Sequence, residues 1–404
     1  MVKDKKKLLF VISYLHIGGA ERALAEITRN FSSEWEIDIL LNGNQPIDFE
    51  YRGNLLFLGI DENPQMASVF FHAKILYRRL LALWKLKRSG KYTACISFLD
   101  SANVANILTK SPKCKTIISI RTSLKKKTKL PQYKYIVNPL AKILYNKADW
   151  IVAVSQGVGR ELVEQFGLLK EKVVVIENGY DIKRMEELGK EELIHKEAVF
   201  IKNKKVIVTL GRLTDAKGQW HLIRAFSRIA TEVENVVLVI VGGGELEEYL
   251  KNVAEEFEIS NKILFTGYSN NPYKYLTKSD IFVLSSLYEG FPNALAEAIC
   301  LGLPCIATDI CAGAYELLAP MTLEKQGFVK LVTNMEYGII TPCCSGNRLM
   351  RESLEMEELE LSKAICNLLQ DDKLRFHYSQ KSRERRAELG IDSVIKKYEA
   401  IIVR

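Results

Sequence analysis

Residues 201–257 read IKNKKVIVTLGRLTDAKGQWHLIRAFSRIATEVENVVLVIVGGGELEEYLKNVAEEF. The apolar run VIVTL predicts a buried strand entering a Gly-Arg turn, and QWHLIRAFSRIA carries apolar residues at helical spacing. The unit then repeats: NVVLVIV is a strand, Gly242-Gly243-Gly244 a turn, and ELEEYLKNVAEEF a helix. Downstream, KILFTGY and DIFVLSS read as strands, with NPYKYLTKSD as a short helix between them. Strands alternating with helices predict a doubly wound α/β domain around a parallel sheet.

Two kinds of charge stand at the turns of this pattern. Arg212 and Lys217, in VTLGRLTDAKG, lie between a strand and a helix start, where a forked donor, a point charge and a helix N-terminus all favour anions. Glu289 and Glu297 lie in SSLYEGFPNALAEAICLGLPCIA, the first before a predicted helix start at Asn293 and the second within that helix. Carboxylates accept hydrogen bonds from vicinal hydroxyls. Cations for phosphates beside carboxylates for hydroxyls suit a nucleotide sugar, and open parallel sheets bind ligands at the carboxyl ends of their strands. A glycosidase would need a raised acid and a nucleophile across one bond; the neighbouring cations favour holding a donor.

The first half opens with LLFVISYLHIGGAERALAEITRNF, a strand, a Gly18-Gly19 turn and a helix. Glycines there allow close backbone approach to a ligand, although the spacing equally suits a plain strand–helix turn. Glu21 is read as supporting its own helix start, and His16 as incidental. ACISFLD ends in Asp100 and KTIISIRTS leads into Arg121; for each, a structural salt bridge and a catalytic role are both open.

A chain of 404 residues suits two domains. No apolar stretch of transmembrane length occurs, and MVKDKKKLLFVISYL reads as a first strand, not a signal peptide. The eight cysteines and five histidines are scattered, with no Cys-x-x-Cys, so reduced thiols and no zinc site are expected. Residues 63–148 hold eighteen Lys and Arg against one acid, Asp100, while the whole chain is only +8. Within that stretch SVFFHAKILYRRLLALWKLKRSGKY predicts a basic amphipathic helix with Phe70, Phe71, Ile75, Leu76, Leu80, Leu83 and Trp84 beside Lys74, Arg78, Arg79, Lys85, Lys87 and Arg88. Such a helix suits an anionic membrane surface; it equally suits an ordinary helix packed on the sheet with solvated cations. A second basic run, Lys125, Lys126, Lys127 and Lys129, is expected as a loop at the same end. No nucleic-acid-binding signature accompanies these charges.

GRLTDAKG, VGGGELE, FTGYSNNP, the two glutamates of EGFPNALAEA, GLPCIATDICAGAYELL and YGIITP occur in the order found in retaining glycosyltransferases of family 4, which the chain resembles over roughly half its length. The resemblance implies the GT-B fold: two Rossmann-like doubly wound α/β domains facing a central cleft. It implies an acceptor domain at 1–190, a donor domain at 200–384 and a crossover helix at about 385–404, with a hinge near 180–204. It implies transfer of a hexose or N-acetylhexosamine from a nucleoside-diphosphate sugar, UDP favoured and GDP open, to a lipid-linked or surface-glycan hydroxyl, with retention and with neither metal nor cofactor. Arg212 and Lys217 would stabilise the leaving diphosphate and Glu289 hold the sugar. Glu297 would bind the ribose and Tyr268 the base, with Gly18, Gly19, Asn178, Gly243, Pro292, Asn293 and Ala294 also lining the donor. Many relatives carry an acceptor-side His where this chain has Arg121. A nucleotide-sugar epimerase and a non-catalytic nucleotide-sugar or membrane-binding module are the alternatives; the expected enzyme is cytoplasmic and peripheral on the membrane's inner face.

Overall fold

The computed structural model describes residues 6–16, 18–60, 69–124, 138–289, 291–310, 312–320, 329–348 and 352–404. The basic run at Lys125–Lys129 lies outside them. The chain folds as two compact units, Met1–Gly179 with Ile391–Arg404, and Tyr180–Gly390.

The first unit is built on β1 (Lys6–Val11), β2 (Trp35–Leu41), β3 (Asn54–Phe57), β4 (Ala94–Phe98), β5 (Lys115–Ile120), β6 (Trp150–Ala153) and β7 (Val173–Val175). They pair in parallel in the order β3-β2-β1-β4-β5-β6-β7. The second uses β8 (Lys205–Leu210), β9 (Val236–Val241), β10 (Ile263–Gly267), β11 (Ile281–Leu284), β12 (Cys305–Thr308), β13 (Thr333–Asn334) and β14 (Ile339–Thr341). Their order is β10-β9-β8-β11-β12-β14-β13, parallel but for β13 against β14. The sequence dictates this: all six residues of VVLVIV in β9 are buried, as a strand covered on both faces by helices requires. In each sheet the chain winds outward from a central strand, then returns to its other side. The winding reverses between β1 and β4 and between β8 and β11.

The segment expected as a hinge, 180–204, is part of the second unit. Tyr180, Met185 and Leu193 enter that unit's core, and the Tyr180 amide donates to the Leu389 carbonyl at 3.0 Å. Helix Ile182–Gly189 is tied down by Asn271, which donates to the Leu188 carbonyl at 2.8 Å, and by Thr277, which donates to that of Gly189 at 2.7 Å. The boundary therefore falls at Gly179–Tyr180 and Gly390–Ile391. The last helix, Ile391–Val403, packs Val394, Tyr398 and Ile402 with Leu8 and Phe10 of the first unit.

The basic segment forms helix Val69–Arg88, but two of its cations do not face solvent. Arg79 is buried and donates to Asn42 Oδ1 at 2.6 Å, Ser101 Oγ at 2.9 Å and Ser13 Oγ at 3.2 Å; burial lowers its pKa to about 10. Lys87 is 0% exposed and donates to the Asn106 carbonyl and side chain, each at 2.9 Å, and to Thr116 Oγ1 at 2.8 Å, with its pKa lowered by burial. A buried cation persists only with its donors satisfied, and neutral oxygens do that here. The helix thus binds its own sheet through charge as well as through Leu83. Its outward face keeps Lys74, Tyr77, Arg78, Leu81, Trp84, Lys85 and Arg88.

Helix Met356–Gln370 is fastened to helix Gln219–Glu232 by a buried triad. Glu358 Oε1 accepts from His221 Nδ1 at 2.7 Å and from Arg224 Nε at 2.8 Å. Burial alone would raise the Glu358 pKa; the bonds from His221, Arg224 and the Glu355 backbone outweigh it and hold the group below the usual carboxylate range. The stabilisation is therefore complete above the unfolded glutamate value of about 4.3 and is lost as pH falls through the lower folded value. Urea midpoints measured from pH 6 down to 3 should fall more steeply for the wild type than for Glu358→Gln; parallel curves would contradict this assignment.

Candidate functional site

Strands β8 and β11 are neighbours, with Ile281 opposite Ile207 and Phe282 opposite Val208, so the loops that follow them leave the same edge of the sheet. This is the reversal point of the second sheet, the place where doubly wound folds bind ligands. The two loops are bonded together. The Leu287 amide donates to the Ala216 carbonyl at 2.8 Å, and Ser285 Oγ to the Lys217 carbonyl at 3.1 Å. Gly218, left-handed at φ +56, starts helix Gln219–Glu232, and a Cβ there would stand 2.6 Å from the Ser285 carbonyl oxygen. Only glycine permits both that conformation and that approach.

Lys217 and Glu289 meet in this junction: the ammonium donates directly to Glu289 Oε1, and Ser286 Oγ donates to the same oxygen at 3.0 Å. Their side chains are 21% and 13% exposed. A pair so placed retains access to a ligand while being partly withdrawn from water, where its field is stronger than on an open surface. Arg212 is exposed, and its guanidinium has no bonding partner among the described residues; its carbonyl accepts from Gln219 Nε2 at 3.0 Å. The five guanidinium N–H donors are thus available to an anion.

The turn after β9 completes this edge. The Leu213 amide donates to the Gly243 carbonyl at 3.1 Å, and the Gly242 amide to that of Gly267 at 3.0 Å. Tyr268 follows, 81% exposed. Beyond Glu289, Pro292 precedes helix Asn293–Cys300, and Tyr180 Oη donates to Asn293 Oδ1 at 2.8 Å, fixing the first helical residue. Ala294 is half-buried in the first turn, and Glu297 is 2% exposed on the same helix.

The first unit gathers a second group at its own carboxyl edge. Gly18 and Gly19 follow β1 and open helix Gly19–Asn30. Asp100 opens helix Asp100–Leu108 after β4, and Leu99 before it is left-handed at φ +72, a strained state costing about 1–3 kcal/mol for such a residue. Arg121, buried after β5, donates to Asn178 Oδ1 and lies over the Phe98 ring at 5.5 Å. Two residues separately singled out in the sequence are therefore direct partners. Burial raises the Glu21 pKa, with Arg121 acting in the opposite direction. His16 pairs with Asp48 at 2.6 Å.

One cluster has the composition of a metal site: His221, Glu355 and Glu358. Its ligand atoms are already engaged. Besides the contacts to Glu358, His221 Nε2 accepts from the Gly346 amide at 3.2 Å, which fixes Nδ1 as the protonated nitrogen. The Arg224 guanidinium supplies the cation that a metal would otherwise bring.

The model of the family described as glycosyl transferases group 1 matches residues 190–336, and that of glycosyltransferase family 4 matches residues 17–184. An uncharacterized glycosyltransferase of Methanocaldococcus jannaschii is 31% identical over 360 residues, covering 86% of this chain and 87% of that protein. The chain belongs to the GT-B glycosyltransferases of family 4. A Campylobacter jejuni relative, N-acetylgalactosamine-N,N'-diacetylbacillosaminyl-diphospho-undecaprenol 4-alpha-N-acetylgalactosaminyltransferase, is 28% identical over 94% of each chain. Among solved structures, Anabaena Alr3699/HepE in complex with UDP shares the fold with a TM-score of 0.72 at 18% identity, over 98% of this glycosyltransferase and 99% of that chain.

Sequence reading passed over Ser286 and Gln219 in this glycosyltransferase. Both lie within the quoted stretches, but a serine or glutamine beside a turn carries no signal until its partner, Glu289 or the Arg212 carbonyl, is in place. The backbone contact at Gly242, φ +138, is equally tight: a Cβ would lie 2.0 Å from the Gly211 carbonyl oxygen. Gly242→Ala should lose about 1–3 kcal/mol in urea denaturation, whereas Gly243→Ala, whose nearest neighbour would be 3.6 Å away, should stay within about 0.5 kcal/mol. Equal losses would contradict the contact.

Proposed function

We propose that this glycosyltransferase moves a hexose or N-acetylhexosamine from a UDP-sugar to a hydroxyl of a lipid-linked glycan precursor, with retention at the anomeric carbon. The observation that carries the reading is the Lys217–Glu289–Ser286 contact beside the exposed Arg212, at the reversal point of the second sheet. It is supported by the Campylobacter relative, whose name specifies a diphospho-undecaprenol-linked acceptor and which matches 94% of this chain, and by the UDP-bound Anabaena structure. The second unit is assigned the donor, and the first, with Asp100 and Arg121, the acceptor.

In the reaction, the bond between the anomeric carbon and the β-phosphate oxygen breaks, its electron pair leaving with UDP. A bond to the acceptor oxygen forms on the same face, and the acceptor proton passes to the departing phosphate. Positive charge grows on the sugar and negative charge on the diphosphate. Arg212 and Lys217 stabilise the latter, a contribution of several kcal/mol where water is excluded. Glu289, aligned by Ser286, receives donor-sugar hydroxyls, and Glu297 those of the ribose. Tyr268 lies against the base. Gly243, Pro292, Asn293 and Ala294 of the second unit are assigned to donor binding, and Gly18, Gly19 and Asn178 of the first are candidates for further donor contacts. Cationic side chains take the place of a metal in balancing the leaving group.

The acceptor's lipid is met by the outer face of helix Val69–Arg88, where Tyr77, Leu81 and Trp84 are exposed among Lys74, Arg78, Lys85 and Arg88. Four such cations contribute about 1 kcal/mol each near an anionic bilayer. Attachment through this face at the cytoplasmic side of the membrane is part of the proposal; among the described residues no helix is long and apolar enough to cross a membrane.

Turnover of UDP-sugars with undecaprenyl-diphosphate-linked acceptors, followed by NMR of the product's anomeric centre, tests the reading. Retention is expected, with a loss of about 100- to 1,000-fold in kcat for Lys217→Ala. An inverted product would refute the stereochemistry. Isomerised donor without acceptor-dependent UDP release would refute the transfer.

A further inference from the structure

We propose that a cavity at the amino-terminal edge of the first sheet binds a small anion of the diphosphate class, apart from the site of glycosyl transfer. The cavity, of about 340 Å³, is lined in part by Lys110, Lys115, Asp149, Trp150, Lys172 and Arg404. Lys115 and Trp150 are the first residues of β5 and β6, and Lys172 immediately precedes β7. Asp100, Arg121 and Asn178 follow the opposite ends of parallel strands in the same sheet, so an occupant here is not the group that reacts there.

The lysines are held by main-chain oxygens. Lys110 donates to the Lys147 carbonyl at 2.9 Å and to Asp149 Oδ1 at 2.5 Å. Lys115 donates to the Ile402 carbonyl at 2.8 Å, and Lys172 to those of Asn146 at 2.6 Å and Ala148 at 3.1 Å. An ammonium has three N–H groups. Each lysine is therefore immobilised and still retains at least one donor. Among the lining side chains the carboxylate is already engaged: Asp149 Oδ2 accepts from the Thr116 amide at 2.7 Å, and Oδ1 from Lys110; with the α-carboxylate of Arg404 counted as well, the four cations still leave the site net positive. Lys115, Lys172 and Arg404 have no carboxylate partner among the described residues. Positive charge fixed in a concavity with donors to spare is what a multiply charged phosphate group requires, and the half-buried Trp150 indole gives the cavity one apolar wall. The small volume of the recess, about 340 Å³, favours a small anion over a bilayer.

Calorimetric titration of inorganic diphosphate into the full chain carrying Lys217→Met, which disables the proposed donor site, tests this without relying on the transfer reaction. Saturable binding is expected, weakened about 10-fold or more by Lys115→Met or Lys172→Met and retained by Lys115→Arg. Arg404→Ala alters an exposed side chain and should weaken binding about 3-fold even if the lysine variants fail to fold. Unchanged binding in folded Lys115→Met and in Arg404→Ala would overturn the proposal. So would binding to phosphatidylglycerol vesicles, lost in Arg404→Ala, with none to diphosphate.

Discussion

The direct contact between Lys217 and Glu289 is the constraint around which the second unit is arranged. It exists because β8 and β11, far apart in the chain, are neighbours where the winding of the sheet reverses. Around it the backbone leaves almost no slack. Gly218 lies against the Ser285 carbonyl, Gly242 against that of Gly211, and the Ala216 carbonyl is bonded to the Leu287 amide. Groups that act on developing charge work best when their positions are set before the reaction, so that no reorganisation is needed as charge forms. Ser286 holds the oxygen of Glu289 that also faces Lys217.

The first unit handles charge differently. Its basic segment divides into inward cations, Arg79 and Lys87, which bind oxygens of strand, loop and helix Asp100–Leu108, and outward ones that surround Tyr77, Leu81 and Trp84. The inward pair makes the helix part of the sheet's support, so the outward face is presented on a rigid element. The amino edge adds lysines whose positions are fixed by carbonyl oxygens. Excess positive charge in this half of the chain thus separates into a structural set, an outer face and a cavity.

Most of the fold was legible in the sequence because strand–turn–helix units announce themselves through short apolar runs followed by helical periodicity. VVLVIV and QWHLIRAF are examples that the structure reproduces as β9 and helix Gln219–Glu232. Arg212, Lys217 and the two glutamates stood out by charge type and position at the turns, and the structure brings Lys217 and Glu289 into direct contact. The Arg121–Asn178 contact was hidden by its 57-residue separation, and the fate of Arg79 by its resemblance to every other cation on its helix. Periodicity gives a face only when polar and apolar residues divide cleanly, and a buried arginine breaks that division. The charged stretch after Tyr180 read as a connection because its Lys, Arg and Glu residues interrupt the apolar ones; Met185 and Leu193 nevertheless enter the second core, with Ile182, Leu188, Phe200 and Ile201 packed against it.

The central claim is that the nucleotide of the donor is held by the loops that follow β8 and β11. Amide hydrogen exchange with and without UDP tests it most directly. Slower exchange on UDP binding is expected in residues 211–219 and 285–297 of the wild type, with the effect reduced in Lys217→Ala. Protection absent from both segments at saturating UDP, or confined to the loops of the first unit, would contradict it.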